Sequence, residues 1–149
     1  MLLKNKTAVI TGCNKGIGKE ILKIFSVNGA KVFACVREID EKFNAEITNL
    51  KRKNNSEIIP ISFDLLNEDQ IKESAKKILT LNPNIDILVN NAGAIETALF
   101  QMTSSKKLKE IFEVNLFSQI TLTQFILKSM IKNKSGSIIN ISSISGLDA

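Results

Sequence analysis

The most informative stretch of the chain is TGCNKGIG, Thr11–Gly18. It follows a short β-rich run, KTAVIT (Lys6–Thr11). It leads into GIGKEILKIFSVNG, where Ile17, Ile21, Ile24 and Phe25 recur at the spacing of one helix face. Gly12 permits a tight turn, while Gly16 and Gly18 let the backbone approach an anion and let the helix pack on the strand. The start of a helix adds unpaired amides and the positive end of its dipole. A glycine-rich turn alone is a weak signal, but here the strand before and the helix after meet the context of a phosphate-binding turn.

Beyond this turn and its helix, Asn28-Gly29 is a helix stop, and AKVFACV (Ala30–Val36) is a second strand. From Glu38 to about Asn54, Ile39, Phe43, Ile47 and Leu50 fall at helical spacing. EIIPISFD (Glu57–Asp64) is a third strand, and Pro60 inside it favours an edge position, because proline has no amide to donate. Ile71, Ala75, Ile78 and Leu79 mark a helix over Asn67–Thr80, and DILVNNAG (Asp86–Gly93) is a fourth strand, apolar on both faces until its asparagines. Ser104 or Ser105 caps a long helix running to about Asn133, and GSIINISS (Gly136–Ser143) is a fifth strand. Strands alternating with helices predict an α/β chain with right-handed crossovers. The expected fold is a doubly wound parallel sheet of five strands. The Ser105–Asn133 helix is apolar on nearly all sides, so it is expected to be covered by more than its own sheet, and a homo-oligomer contact is the natural second cover.

At 149 residues the chain has room for one domain, taken as residues 1–149. A net charge of +5 raises nucleic acid as a partner, but no aromatic residues interleave with the lysines for base stacking, and the charges read as a solvated surface. Cys13 and Cys35 lack metal-ligand spacing, and with no His in the chain no metal site is expected. Reduced thiols, no visible signal peptide and no apolar run of membrane-spanning length lead to an expected cytoplasmic location.

The separation of Gly12 from Gly16 is not that of the commonest dinucleotide fingerprint. TGCNKGIG instead resembles the TGxxxGxG loop of the short-chain dehydrogenases/reductases. Four further motifs agree in order: Asp64-Leu65, NNAG at Asn90–Gly93, Asn115 in FEVNLFS, and the serine strand GSIINISSISG. The resemblance covers essentially the whole chain and is nearest to the 3-oxoacyl-acyl-carrier-protein reductase branch, and it implies a Rossmann-type, doubly wound parallel sheet of five strands in the order 3-2-1-4-5. It implies a cofactor site built from Gly12, Asn14, Lys15, Gly16, Ile17, Gly18, Arg37, Asp64, Leu65, Asn90, Ala92 and Gly93. It implies Asn115 and Ser143 as the catalytic members present, with Ser142 as the runner-up serine.

Each motif has a plainer alternative. Asp64 can accept from the adenine amine, or cap the next helix. The amides of Asn90 and Asn91 can tie neighbouring strand ends together, since buried amides need partners. Asn115 can be a satisfied core amide that pins its helix. The family role is instead to distort that helix and hold a water in a proton relay.

NAD-preferring folds place an acid at the end of the second strand. Here Val36 stands at that point and Arg37 follows; with Lys15 it makes two cations suited to a 2′-phosphate, so NADP(H) is the expected cofactor. Glu38 is the competing ribose acceptor if the strand runs one residue further. In the resembling family, Ser143 orients a substrate carbonyl, and a Tyr with a Lys four residues later handles the proton. This chain has no Tyr. The expectation is therefore the N-terminal part of a longer single-domain ketone reductase, with 3-oxoacyl-acyl-carrier-protein reduction as the favoured activity. An acyl carrier protein is a possible partner, and a sugar, steroid or other alcohol is a possible substrate. The other reading is a short dinucleotide-binding protein without catalysis, a sensor or partner subunit.

Overall fold

The computed structural model describes residues 1–143 and contains one five-stranded parallel sheet in the order β3-β2-β1-β4-β5. The strands are β1 (Thr7–Thr11), β2 (Lys31–Val36), β3 (Ile58–Ser62), β4 (Ile87–Asn90) and β5 (Ser137–Asn140). The helices are α1 (Gly16–Val27), α2 (Glu41–Asn54), α3 (Glu68–Leu81), α4 (Ser105–Phe112) and α5 (Ser118–Asn133). The expected class and strand order are both present.

Strand side chains alternate between two cores. On one face Val9, Phe33, Ile61 and Leu88 meet Ile71, Ala75 and Ile78 of α3 and Leu122 and Ile126 of α5. On the other face Ala8, Ile10, Val32, Ala34 and Val89 meet Leu22 of α1 and Phe43, Ile47 and Leu50 of α2. A strand covered on both faces must be apolar at nearly every position, which is why β1 is buried throughout and reads as a continuous run. Pro60 sits on β3, which pairs only with β2, so its missing amide costs no ladder bond on the open side.

Three expectations need correction. First, α1 buries only half of the face marked by its apolar residues: Ile21 and Phe25 are partly buried and pack against the core. Its buried row is Gly18, Leu22 and Ser26, while Ile17 and Ile24 are 61% and 58% exposed. Gly18 lies so close to the preceding turn that a Cβ there would overlap the Gly12 carbonyl. That contact sets the rotation of the helix and turns Ile17 and Ile24 outward.

Second, the helix expected over Ser105–Asn133 is not continuous. α4 and α5 are separated by a π-helical turn, Glu113–Phe117, with Asn115 at its middle. A π turn inserts a residue into the α repeat, so the helix on one side of it is rotated by about 100° relative to the helix on the other. The apolar residues that suggest a single all-round apolar helix therefore belong to two helix phases. Leu122, Ile126 and Met130 are buried, but Phe112, Leu116, Phe117, Ile120, Leu127 and Ile131 remain exposed.

Third, strands end earlier than their apolar runs. β3 stops at Ser62, β4 at Asn90 and β5 at Asn140, so Asp64, Ala92, Gly93, Ser142 and Ser143 lie in the loops beyond. These loops, with the turn after β1 and the segment after β2, gather at the C-terminal edge of the sheet, where ligands of open α/β sheets bind. The serine-strand residues after Ser143 fall outside the described residues.

Candidate dinucleotide site

Between β1 and β4 the chain winds to opposite sides of the sheet, and the crevice opens at this switch point. The turn after β1 is anchored from both sides. The amides of Gly12 and Cys13 donate to the Cys35 carbonyl of β2, at 2.9 and 3.3 Å. From the end of β4, the Asn91 side-chain amide donates to the carbonyls of Thr11 and Gly12, at 2.9 and 3.4 Å. The Thr11 hydroxyl accepts from the amides of Asn91 and Ala92, both at 3.0 Å.

The three glycines of the loop do different things. Gly12 has φ +74°, and a Cβ on it would come within 2.8 Å of the Asn91 amide nitrogen. Gly18 is packed between Gly12 and Asn91. Gly16 also has positive φ, +54°, but a Cβ there would meet nothing within 4 Å. The loop is thus tightly built beneath and open above, over the first turn of α1.

That first turn has donors to offer. The first α1 bond runs from the Lys19 amide to the Lys15 carbonyl, so the amides of Gly16, Ile17 and Gly18 have no acceptor within the helix. Lys15, at the N-cap, gives no side-chain cap. An open, glycine-lined surface with a helix dipole and three amides that find no acceptor among the described residues fits a diphosphate. A side chain at position 16 would occupy the space such a group needs.

Around this loop, β2 ends at Val36, which is 4% exposed, and Arg37 is the first residue outside the sheet. The Ser62 hydroxyl donates to the Arg37 carbonyl at 3.3 Å, holding that backbone against the end of β3. Among the described residues neither Arg37 nor Lys15 joins an ion pair, in contrast to Lys19 of α1, which pairs with Glu46 of α2 at 2.8 Å. Because β2 ends at Val36, Glu38 is two residues past the strand rather than at its end.

Asp64 does not cap α3. Asn67 does, its side chain accepting from the Gln70 amide at 3.1 Å. Asp64 instead accepts from the Leu66 amide at 2.9 Å, and its own amide donates to the Gln70 side chain. Its carboxylate rims the crevice within this turn, and the following Leu65 is buried.

On the β4 side, Asn90 is 1% exposed and its amide nitrogen donates to Thr123 of α5 and to Asn140 of β5, at 3.0 and 2.9 Å. The expectation that the asparagine pair ties strand ends together describes what both do. Asn115, on the π turn, holds the loop after β4. Its Oδ1 accepts from the Ala94 amide at 2.7 Å and its Nδ2 donates to the Ala94 carbonyl at 2.8 Å. The distortion of the helix is therefore present, and the side chain is engaged at both ends by one residue's backbone. Ser143 follows β5 and is exposed at the same edge of the sheet.

Sequence reasoning passes over three side chains that build this site: Ser118, Gln119 and Thr123. Each acts on backbone or on another side chain across more than 25 residues of sequence. No local pattern marks them. Cys13 and Cys35, beneath the loop, are both buried, and burial raises both thiols well above the ordinary value. Among the described residues no cluster suited to a metal occurs, and no helix is long and apolar enough to cross a membrane.

These features agree with comparisons to known proteins. A family model for short chain dehydrogenases matches residues 6–149. Mouse dehydrogenase/reductase SDR family member 7B is 32% identical over 97% of this chain and 45% of its own length. The 3-oxoacyl-acyl-carrier-protein reductase FabG of Thermotoga maritima is 34% identical over 99% of this chain and 59% of its own. A crystal structure of a metagenomic short-chain oxidoreductase in complex with NADP superposes with a TM-score of 0.90. It is 31% identical, and the match covers 98% of this chain and 65% of that one.

The chain belongs to the short-chain dehydrogenase/reductase family of oxidoreductases. It spans about half the length of the curated relatives it matches.

Proposed function

We propose that the chain binds NADP(H) and forms the cofactor half of a reductase that converts a ketone to a secondary alcohol. The observation that carries this reading is the open loop at Gly16, with its spare amides. It is flanked by Lys15 and Arg37, two cations outside the described ion pairs, where NAD-preferring folds carry an acid. The 2′-phosphate of NADP is the group that a guanidinium on this side of the crevice recognises best.

In this reading Gly12, Asn14, Lys15, Gly16, Ile17 and Gly18 hold the diphosphate, Arg37 and Lys15 the 2′-phosphate, and Asp64 and Leu65 the adenine. Asn90, Ala92 and Gly93 border the ribose. Bound there, the nicotinamide supplies a hydride to a carbonyl carbon. Ser143 donates a hydrogen bond to the carbonyl oxygen and orients it, with Ser142 beside it. Asn115 acts by holding the loop after β4 to the π turn, and the rearranged backbone of that turn is the place for a relay water. These 149 residues contain no Tyr and no His, two of the residue types that can move a proton in such a step.

A 3-oxoacyl thioester is the favoured substrate, supported by the similarity to FabG and by a basic surface suited to an acidic carrier protein. The exposed apolar residues of α4, the π turn and α5 support a homo-oligomer through this region. The phosphate loop by itself also suits a second reading, a dinucleotide-binding protein without turnover. Titration with NADPH and NADH, followed by an NADPH oxidation assay with acetoacetyl thioester, separates the two. Tight NADPH binding with oxidation supports the reductase, binding without oxidation fits the sensor or a cofactor half acting alone, and no binding overturns both.

A further inference from the structure

The start of α5 holds two loops of the crevice at once. Ser118 is 1% exposed, and its hydroxyl donates to the Leu65 carbonyl in the loop after β3. Glu113 Oε1 lies 3.3 Å from the same hydroxyl. A serine has one proton, and the nearer Leu65 carbonyl takes it. The next residue, Gln119, donates from Nε2 to the Ala92 carbonyl at 2.6 Å and to the Val114 carbonyl at 3.4 Å. With Asn115 on Ala94, three side chains on neighbouring turns grip backbone at Leu65, Ala92 and Ala94.

This arrangement depends on the π turn. The inserted residue lets Asn115 meet the loop after β4 from one side while Ser118 and Gln119 reach under both loops. A regular α-helix through Glu113–Phe117 would shift Asn115 around the helix axis with respect to Ser118 and Gln119 by part of the about 100° that a whole inserted residue carries. The partners are also informative. All are main-chain carbonyls or amides of the loops proposed to border adenine and ribose, next to Asp64 and Gly93.

We infer that Ser118 and Gln119 are positioning residues for the adenosine half of the dinucleotide, fixing the separation of the β3–α3 and β4–α4 loops from beneath. The inference rests on the dinucleotide reading of the crevice, and the two are tested separately. Neither residue touches the nucleotide.

The experiment uses the intact chain with Ser118→Ala, Ser118→Thr, Gln119→Glu and the wild type. Gln119→Glu keeps size and loses the donor. Affinities for 2′,5′-ADP and for nicotinamide mononucleotide are measured by calorimetry. Hydrogen exchange is measured without nucleotide. Loss of one buried donor is expected to weaken 2′,5′-ADP binding by about fivefold to tenfold. Binding of the mononucleotide should not change. Exchange should rise selectively over residues 63–66 for Ser118→Ala and over 91–95 for Gln119→Glu. Ser118→Thr, which keeps the hydroxyl, should restore the wild-type values.

Wild-type 2′,5′-ADP affinity in both Ser118→Ala and Gln119→Glu would overturn the inference, as would exchange that rises uniformly across the sheet. If the wild type itself does not bind 2′,5′-ADP, the dinucleotide reading fails and the positioning role falls with it. The selective exchange would then show a structural tether alone.

Discussion

The two edges of the sheet differ sharply. β3 is covered on both faces by α2 and α3, with Ile58 and Ile61 buried, and its open side carries Pro60. β5 pairs with β4 along its whole length, yet every residue in it is exposed, Ile138 and Ile139 included. An edge strand with uncovered apolar side chains and no proline or charge is a pairing template. The difference separates two halves of one crevice. The β1–β2–β3 side, proposed to bind the cofactor, is enclosed by its own helices. The β4–β5 side, which carries Ser143, is anchored among the described residues through the β4 ladder and the Asn90–Asn140 contact.

This contrast is open to direct challenge. The largest effect is expected from core truncation on the enclosed side. Ile58→Ala should lower unfolding free energy by about 2–5 kcal/mol, whereas Ile139→Ala on β5 should cost less than about 1 kcal/mol. Equal costs in denaturant melts would erase the contrast between the edges. Next, Gly18→Ala drives a Cβ into the Gly12 carbonyl and should destabilise by about 1–3 kcal/mol while abolishing NADPH binding. Gly16→Ala meets open space and should cost only the left-handed backbone penalty, about 1–2 kcal/mol, yet also impair phosphate binding. If Gly16→Ala bound NADPH as well as wild type, the open loop would not be a phosphate seat.

Arg37→Asp should reduce NADPH affinity by roughly 10–100-fold, as expected for losing a charge-assisted contact, and leave NADH affinity nearly unchanged. Equal losses for both nucleotides would remove the 2′-phosphate assignment. On the other side of the crevice, Ser143→Ala should cut turnover in an active preparation and leave NADPH affinity nearly intact.

The smallest effect concerns pH. Burial raises Cys13 and Cys35 above the ordinary thiol value of 9.0. The unfolded chain therefore loses these protons first as pH rises. The associated stability is complete below pH 9 and declines above it. Melts at pH 8 and pH 10 should show lower stability at the higher pH, and the native thiols should resist alkylation at pH 8. Fast alkylation of the folded protein would contradict their burial.

How much of the molecule is legible from residues alone depends on what kind of interaction carries each feature. The parallel α/β class and the edge position of Pro60 come from alternation and from a missing amide, both local facts, whereas the strand order comes with the family resemblance. The glycine loop is legible because backbone conformation restricts which residue can stand there. The rotation of α1 is not, because it is set by contact between Gly18 and Gly12, and apolar spacing alone marks a face of which only Ile21 and Phe25 pack against the core. The π turn hides for a related reason: the apolar residues around it mimic one helix covered on all sides. Ser118 and Gln119 escape because their partners are main-chain atoms distant in sequence. The Asn115 resemblance implied a distorted helix correctly, while its side-chain partner, the Ala94 backbone, emerges only from the fold.

Every functional assignment to this crevice depends on the amides of the first α1 turn seating the diphosphate of NADP(H). Backbone-amide NMR during titration with NADPH reads those amides themselves. Saturable shifts are expected at Gly16, Ile17 and Gly18, with a second set at Arg37 that NADH does not produce. A titration that leaves these amides unmoved, or that shifts only residues at the opposite edge of the sheet, would contradict the seat.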